Sequence, residues 1–488
     1  MKKLMNFRYL IAFLCAMTGP GLAAAASLLE VYQQALQSDP LLHEADARRM
    51  AALELVPQAR GSLFPQINAG GSWFQGSSSN VQQEAIQDGA GNIIGFNTVD
   101  AESDFDGFGW NAELRQTLFR WDQWVGLKQA GKRVAKAEVD YEAAQQDLIV
   151  RVVTRYFEVL AAEDRLTSIH ADRQAIARQL EQAKQRFEVG LIAITDVQES
   201  QAAYDQSVAN EIQAKRELAT SRYFLREITG EYISTLSAPG ESFPLVSPNP
   251  ADEASWIDLA MTQNLSVVSS RFDEEIARDE ISFRRTGHYP TLDLVANYDT
   301  RDTDISKVTI GGILSANPNF PTGSTQDSIS VQFSVPIFQG GRTTSRVREA
   351  VYLHRASREQ LQRVARETER QTRDAYLGVL SEISRVNALK QAVESSRTAL
   401  EATQAGFDVG TRTIVDVLNS QRTLYTAITN YYQSRYTYIG NVLRLKLAAG
   451  NLVIQDLEQI DQFLSERRPP EDVIADEEAA SGPAAADQ

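Results

Sequence analysis

The feature that most constrains the fold of this chain is an internal repeat with a spacing of 220 residues. The motif Phe-Glu-Val-Gly-Leu at 187–191 returns as Phe-Asp-Val-Gly-Thr at 407–411, and Asp196 returns as Asp416. Upstream motifs repeat at 225 residues, which indicates unequal loops between equivalent elements. Repetition on this scale predicts two copies of one structural unit that pack against each other.

The repeat divides the chain into consecutive segments. We expect a first copy at 27–230 and a second copy at 251–450. Four prolines mark 231–250 as the linker between the copies. The remaining segment, 451–488, ends in an acidic, alanine-rich tail that we expect to be disordered.

Each copy is predicted to contain a helix, two strands, a long helix, a turn and a helix. Proline-free heptad patterns predict long helices over about Asp122–Phe187 and Arg342–Phe407. At 1.5 Å per residue, each would reach about 100 Å. The flanking helices of the first copy, Leu28–Arg60 and Thr195–Ile228, are each about half as long. Two half-length helices stacked end to end would match one long helix, which favours an elongated helical cylinder over independent coiled-coil hairpins.

The four predicted strands follow a period of two. Ile329, Val331 and Phe333 alternate with Ser330 and Gln332, a pattern typical of a half-buried sheet or of a membrane barrel with a wet lumen. A barrel needs about eight strands, so four strands per chain require several chains for closure. An interfacial aromatic girdle is expected at the strand ends. The aromatic cluster comprises Trp73, Phe74, Phe108, Trp110, Phe119, Trp121 and Trp124.

The N-terminus has the pattern of a secretory signal peptide. Lys2, Lys3 and Arg8 precede a short apolar stretch, and small residues at 24–26 offer a cleavage site. We therefore expect residues 1–26 to be a signal peptide, with a short buried helix as the alternative. Cys15, the single cysteine, lies inside it and lacks the small preceding residues of a lipid-attachment site.

Composition excludes several classes of function. A net charge of -16 argues against nucleic-acid binding, which needs a basic face. One cysteine and four histidines leave little material for a metal site or disulfides, and no metal or cofactor is expected. The segment Gly126–Arg133 resembles a phosphate-binding loop, but Arg133 stands where Ser or Thr would hold magnesium. Since no catalytic motif is present either, the chain is not expected to be an enzyme.

The order of elements and the turn motifs resemble those of the TolC-like outer-membrane efflux proteins, the outer membrane factor family. The resemblance covers nearly the whole chain and is strongest at 186–198, 409–418 and 336–341. It is closer to the TolC branch than to the lipidated members.

This resemblance implies a mixed α and β membrane protein. Three chains would form a 12-stranded outer-membrane β-barrel, with four strands each, continued by a long α-helical coiled-coil tunnel through the periplasm. Segments 231–250 and 451–488 would contribute to an equatorial region. The implied function is an exit duct for efflux and type I secretion at the cell outer membrane of a Gram-negative bacterium. The implied partners are outer-membrane lipid, a periplasmic adaptor and an inner-membrane transporter, either an ABC transporter or a proton-driven pump.

The resemblance also implies roles for residues at the periplasmic tip. The turns that contact the adaptor would be Val189, Gly190 and Leu191 in the first copy and Val409, Gly410 and Thr411 in the second. The periplasmic gate would comprise Thr195, Asp196, Phe407 and Arg412, with Arg412 bonded to Thr195 or Asp196 of an adjacent hairpin when closed. The pore ring would consist of Asp416 and Asn419.

Structural roles compete with these assignments. A glycine after a helix commonly caps it, and Thr413 with Asp416 has the spacing of a capping pair. Two departures from the family pattern also matter. Phe407 replaces a tyrosine that can stand in the gate, and Asn419 replaces a second aspartate of the ring, which leaves three carboxylates per trimer rather than six.

Two other functions remain open from the sequence. A periplasm-spanning structural coiled-coil protein would need no pore-facing polar strands. An exported enzyme on a helical scaffold would need a convergent site, and none is recognisable. The exported substrates cannot be named from these residues.

Overall fold

We analysed a computed structural model of the chain, which describes residues 25–240, 243–310, 313–314 and 320–465. The predicted signal peptide, apart from its last two residues, and the predicted acidic tail lie outside the described residues. The chain forms two compact units. The first draws on Met1–Arg49, Lys136–Arg271 and Glu359–Gln488, and the second on Met50–Ala135 and Phe272–Arg358. Each unit thus takes segments from both halves of the sequence, and the division into two repeats stays a prediction.

Helices dominate the described residues. Three short helices come first in the described part of the chain, and the others follow in the order expected from the repeat. Their bounds are α1 Leu28–Ser38, α2 Pro40–Leu53, α3 Leu55–Gly61, α4 Trp121–Glu188, α5 Ile194–Thr229, α6 Glu253–Gln263, α7 Leu265–Arg285, α8 Arg342–Asp408, α9 Ile414–Ala449 and α10 Ile454–Asp461. The long helices α4 and α8 have 68 and 67 residues, as their heptad patterns predict. Gly126–Arg133 lies inside α4, which is incompatible with a phosphate-binding loop.

The prediction of one helix over Leu28–Arg60 is wrong. Asp39 adopts an extended conformation, with φ -68° and ψ 116°, because the residue before a proline disfavours helical geometry. Pro40 then begins α2, where its missing N–H is not needed. The Asp39 carboxylate accepts the backbone N–H of Leu42 at 2.9 Å and so caps the new helix.

Four long strands of the second unit form one antiparallel sheet in the order β1-β2-β4-β6. In the described part of the chain, β1 and β6 each pair along one edge only. The strands are β1 Gln66–Gln87, β2 Ile93–Phe119, β4 Thr291–Ile310 and β6 Phe320–Ser334, with the short β5 Ile313–Leu314 paired to β4. A separate pair joins β3 Ala238–Pro239 to β7 Leu464–Ser465.

Strand register brings apolar residues together on one face of the large sheet. Ile67 pairs with Leu114, Leu114 with Ala296, and Ala296 with Ile329. The neighbouring row, one residue along each strand, is Asn68, Glu113, Asn297 and Ser328. Since successive side chains point to opposite faces, one face of the sheet is apolar and the other polar. Ile329 is 80% exposed in the single chain, so the apolar face is uncovered.

The aromatic cluster is only partly at strand ends. Phe119 ends β2 and Trp121 begins α4, whereas Trp73 and Trp110 lie well inside β1 and β2. The expectation fails for these two because the strands greatly exceed the roughly 9–11 residues that a bilayer requires. Phe119 and Trp110 are separated by nine residues along β2, or about 30 Å of strand. A tilted strand of that length matches the apolar band, about 25 Å tall, between two aromatic girdles.

The main hydrophobic core lies in the first unit. It packs α1 against the middle of α4, the C-terminal halves of α5 and α9, and α10. Tyr156 is fully buried at its centre, and its hydroxyl donates to the backbone carbonyl of Ser237 at 2.6 Å. This core fixes the two helical hairpins, α4–α5 and α8–α9, on which the turn residues are carried.

Candidate gate at the hairpin turns

The two hairpin turns have the same backbone conformation. Gly190 has φ +75° and Gly410 has φ +78°, in the left-handed region that disfavours residues with a side chain. The N–H of Leu191 donates to Arg186 O, and the N–H of Thr411 donates to Gly406 O, both at 2.8 Å. These bonds close each long helix in the manner of a Schellman motif. The glycines therefore have a capping role whether or not a partner touches them.

The apolar side chains of the turns point into solvent. Val189, Leu191 and Val409 are 70%, 73% and 76% exposed. These side chains have no partner in the core of the chain. Because they are exposed on a turn, they are available for contact with another protein.

The second hairpin begins α9 with a complete capping box. The Thr413 side chain accepts the backbone N–H of Asp416 at 3.3 Å. One Asp416 carboxylate oxygen in turn accepts the Thr413 backbone N–H and its hydroxyl, both at 3.0 Å. These two bonds, with a smaller contribution from the Arg412 charge, hold the pKa of Asp416 below its usual value of 3.8. Asp416 is therefore both a helix cap and an ionised carboxylate.

The first hairpin lacks this box. Ala193 stands at the N-cap of α5 in the place of Thr413, and it makes no side-chain cap bond. Asp196, which corresponds to Asp416, consequently has no N-cap hydroxyl to bind. Thr195 beside it is exposed. The two equivalent aspartates thus differ in how far their carboxylates are engaged locally.

Arg412 lies across the end of α8. Its backbone N–H donates to Gly406 O at 3.2 Å. A Cβ atom at Gly406 would stand 2.8 Å from the Cγ of Arg412, so the glycine makes room for the arginine side chain. The predicted bond from Arg412 to Thr195 or Asp196 joins adjacent hairpins, and the single chain does not test it.

A contact that the sequence analysis missed joins the two hairpins within the chain. Arg186, in the last turn of α4, lies 3.2 Å from the Asp408 carboxylate at the end of α8. The Arg186 guanidinium also stands 4.7 Å from the centre of the Phe407 ring. The opposite charges at equivalent ends of the two long helices were the signal that could have indicated this pair.

The hairpins are joined again nearer the middle of the helices. The Gln421 side-chain amide of α9 donates to Asp172 of α4, to the carboxylate at 2.9 Å and to the backbone carbonyl at 3.1 Å. Burial raises the pKa of Asp172. Asn419, half a turn before Gln421, is exposed.

Metal ions and membrane-spanning helices are two further possibilities. No group of three or more His, Cys, Asp or Glu in the described ranges is placed to hold a metal ion. Among those same residues, no helix is both long and apolar enough to cross a membrane.

Comparison with known proteins gives consistent matches along the chain. The family model described as outer membrane efflux protein matches residues 31–231 and 256–451. The outer membrane protein TolC of Vibrio cholerae is 39% identical over 442 residues, which cover 90% of this chain and 94% of that protein. The Escherichia coli TolC is 36% identical over 475 residues, covering 95% and 92%. The alkaline protease secretion protein AprF of Pseudomonas aeruginosa is 28% identical, covering 92% and 89%.

Solved structures share the fold. The outer membrane protein VceC of Vibrio cholerae superposes with a TM-score of 0.67 at 18% identity, covering 87% of this chain and 96% of VceC. The Campylobacter jejuni outer membrane channel CmeC gives 0.67 at 16% identity, covering 90% of each chain. The predicted fold class, a channel with four barrel strands per chain and a helical tunnel, is confirmed. The chain belongs to the outer membrane efflux protein family, and within it resembles TolC.

Proposed function

We infer that this chain is an outer-membrane channel that provides the exit duct for efflux and type I secretion. The family match and the TolC relatives support this function, and the relative AprF is named for protease secretion. The outer-membrane location agrees with the names of the relatives, and membership of the family supports the homotrimer, the adaptor and the inner-membrane transporter as its partners. The chain is not an enzyme, and the alternative of a purely structural coiled-coil protein has no support.

The observation that carries this function is the two-faced sheet. Its apolar row, from Ile67 to Ile329, suits contact with lipid, and its polar row, from Asn68 to Ser328, suits a water-filled lumen. Among the residues that the structure describes, the outer edges of β1 and β6 have no partner strand, which leaves hydrogen-bonding groups that a neighbouring chain would satisfy. A half-buried sheet of a protein without a pore would also have a polar face, but its apolar face would be covered by a core, whereas Ile329 is 80% exposed here.

We further propose that the hairpin turns form the gate. Asp196, Thr195 and Arg412 would link the second hairpin of one chain to the first hairpin of the next. The absence of a capping hydroxyl beside Asp196 supports this, because the carboxylate is left available for a longer-range bond. Phe407 cannot donate a hydroxyl bond, so closure between chains rests on Arg412. The exposed Val189, Leu191 and Val409, with Gly190, Gly410 and Thr411, would be the adaptor contacts.

Single-channel conductance tests the gate. Arg412→Ser should raise the conductance of the trimer in planar bilayers, because it removes three links at once, each worth about 0–1 kcal/mol. Lys184→Ser, which removes an exposed positive charge from the last turns of α4, is the control and should leave conductance unchanged. If Arg412→Ser conducts like the parent, the gate does not depend on Arg412.

Chemical cross-linking tests which chains the link joins. In a Cys15→Ser background the chain has no other cysteine, so Thr195→Cys with Arg412→Cys supplies the reactive pair. A bis-maleimide should then produce covalent dimers and trimers. Cross-linked product at monomer mass only would place Thr195 and Arg412 in contact within one chain and contradict the proposed link.

A further inference from the structure

We propose that Arg186 is a second gate arginine, which latches the two hairpins of the same chain. The observation is the bridge from Arg186 to both Asp408 and Phe407, across the gap between α4 and α8. This inference rests on the proposed gate and adds a positioning residue to it. The latch is distinct from Arg412, which is proposed to act between chains.

Closure of the ring explains why two arginines would be needed. Three chains with two hairpins each form a ring of six hairpins, in which contacts within a chain alternate with contacts between chains. Arg412 serves only the contacts between chains. Without a second link, every other contact of the ring would be held by the helix packing alone.

The two repeats place these arginines in complementary positions. Residue 186 is Arg in the first copy, and its equivalent in the second copy is Gly406. Residue 412 is Arg in the second copy, and its equivalent in the first is Ile192. Each hairpin therefore carries one arginine at its turn. Arg186 reaches the second hairpin, which lacks a cation at that position, and Arg412 is the arginine proposed to reach the first hairpin of the next chain. Gly406 is also the residue whose missing side chain accommodates Arg412.

The geometry at Arg186 suits a latch rather than a permanent bond. The Arg186 side chain is 33% exposed and Asp408 is 54% exposed, so water can replace either partner when the hairpins part. The Phe407 ring lies under the guanidinium at 4.7 Å and adds a cation–π contact. Phe407 thus contributes to closure through its ring, in a chain where it cannot do so through a hydroxyl group.

Single-channel recording on charge variants tests the latch. Arg186→Gln removes the charge and leaves a shorter, neutral polar side chain, and Lys184→Gln is the matched control on the same helix. We expect Arg186→Gln to raise the ratio of open to closed time about tenfold, since three weak exposed links are lost together. The effect should be larger at about 0.1 M than at about 1 M KCl, because salt screens the ion pair. Lys184→Gln should change the ratio at neither concentration.

Double variants of Arg186 and Asp408 distinguish the loss of a specific latch from a general disturbance of the fold. Asp408→Asn should open the channel, but less than Arg186→Gln because the contact with Phe407 remains, and the double variant should open it no further than Arg186→Gln alone. The charge swap Arg186→Asp with Asp408→Arg should restore closure, and trimers of every variant should run intact on a gel. An Arg186→Gln channel indistinguishable from Lys184→Gln, or a swap that fails to restore closure in an intact trimer, would overturn the proposal.

The outcome for Arg412→Ser distinguishes failure of the Arg186 latch from failure of the proposed gate. If Arg412→Ser opens the channel and Arg186→Gln does not, the latch is wrong and the gate assignment stands. If neither variant opens it, the gate lies elsewhere in the chain and both proposals fail.

Discussion

Asp416 shows how one side chain can serve the fold and the pore. Its carboxylate completes the capping box with Thr413, and only one of its two oxygens is used there. The lowered pKa keeps the group ionised at neutral pH. Three such carboxylates converging on a narrow aperture would concentrate cations, since a ring of charge in a constriction attracts counter-ions.

We therefore predict block by a trivalent cation added from the periplasmic side. Asp416→Ala should abolish the block, and Asn419→Asp should tighten it, because attraction scales with the number of charges at a given radius. Thr413→Val removes the hydroxyl from the cap and keeps the carboxylate, so block should persist in that control. Bilayer conductance against blocker concentration gives the measurement. Unchanged block in Asp416→Ala would leave Asp416 with a capping role alone.

The pH dependence of this block follows from the direction of the pKa shift. Because the pKa of Asp416 lies below 3.8, the carboxylate stays ionised as the pH falls to that value and is protonated only below it. We expect block at pH 5 to equal block at pH 7. Loss of block between pH 7 and pH 5 would show that another group is responsible or that repulsion among the three Asp416 carboxylates outweighs the bonds from Thr413.

Glycines in the same left-handed conformation should differ in their tolerance of alanine. At Gly410, with φ +78°, a Cβ would meet nothing within 4 Å, so only backbone strain opposes the change, about 1 kcal/mol. At Gly450, with φ +79°, a Cβ would clash with the backbone oxygen of Gln263. Gly450→Ala should therefore lower the melting temperature of the trimer several times more than Gly410→Ala. Equal shifts would show that the strain, and not the contact, controls stability at both sites.

Among the structural elements, the junction between α1 and α2 depends on one buried ion pair. Asp39 is 2% exposed and accepts two hydrogen bonds from Arg151 of α4, at 3.0 and 2.8 Å. Burial by itself raises the pKa of Asp39, but the bonds from Arg151 and from the Leu42 N–H outweigh it, so the pKa lies below 3.8. The pair ties the N-terminal helices to the long helix at the point where the chain changes direction.

Asp39→Ala should destabilise the protein by about 2 kcal/mol or more, because it removes a helix cap and leaves a partly buried arginine with one carboxylate fewer. Asp147→Ala is the control, since this partner of Arg151 is 58% exposed and should matter little. A carboxyl group whose pKa is lower in the folded than in the unfolded state stabilises the fold fully at any pH above its unfolded-state pKa. This stabilisation is lost as the pH falls through the folded-state pKa. The difference between parent and Asp39→Ala in thermal melts should thus be constant above about pH 4 and shrink below it. A constant difference down to pH 2 would exclude the ion pair as its cause.

For the whole molecule, the open edges of the sheet set the functional unit. Four strands cannot close a barrel, and within the described ranges the outer edges of β1 and β6 have no partner strand, so we expect further chains to pair them. The trimer should consequently survive mild detergent, which competes poorly with a continuous ladder of backbone hydrogen bonds. Mass measured in detergent, together with bilayer conductance of the same sample, tests this. A stable monomer that still conducts would contradict it.

The features predicted from sequence are those with a local period. Heptads in α4 and α8 and alternation in β6 reflect the geometry of a single helix or strand, so a few consecutive residues suffice to identify each element. The repeat then predicted that the ends of α4 and α8 would be equivalent. Where periodicity was followed past Pro40, the prediction of a continuous first helix was wrong, because one cyclic residue interrupts a helix whatever its pattern.

Features that join distant residues required the folded chain. Ile67 reaches the row of Ile329 through two intervening strands, and Arg186 meets a carboxylate 222 residues away. Neither contact has a local period, because each depends on the register of separate elements and on a core that holds the hairpins side by side. The repeat could indicate that two hairpin ends match. Which arginine crosses to which hairpin was decided by packing, through the space that Gly406 leaves for Arg412 and the opposite charge that Asp408 offers to Arg186.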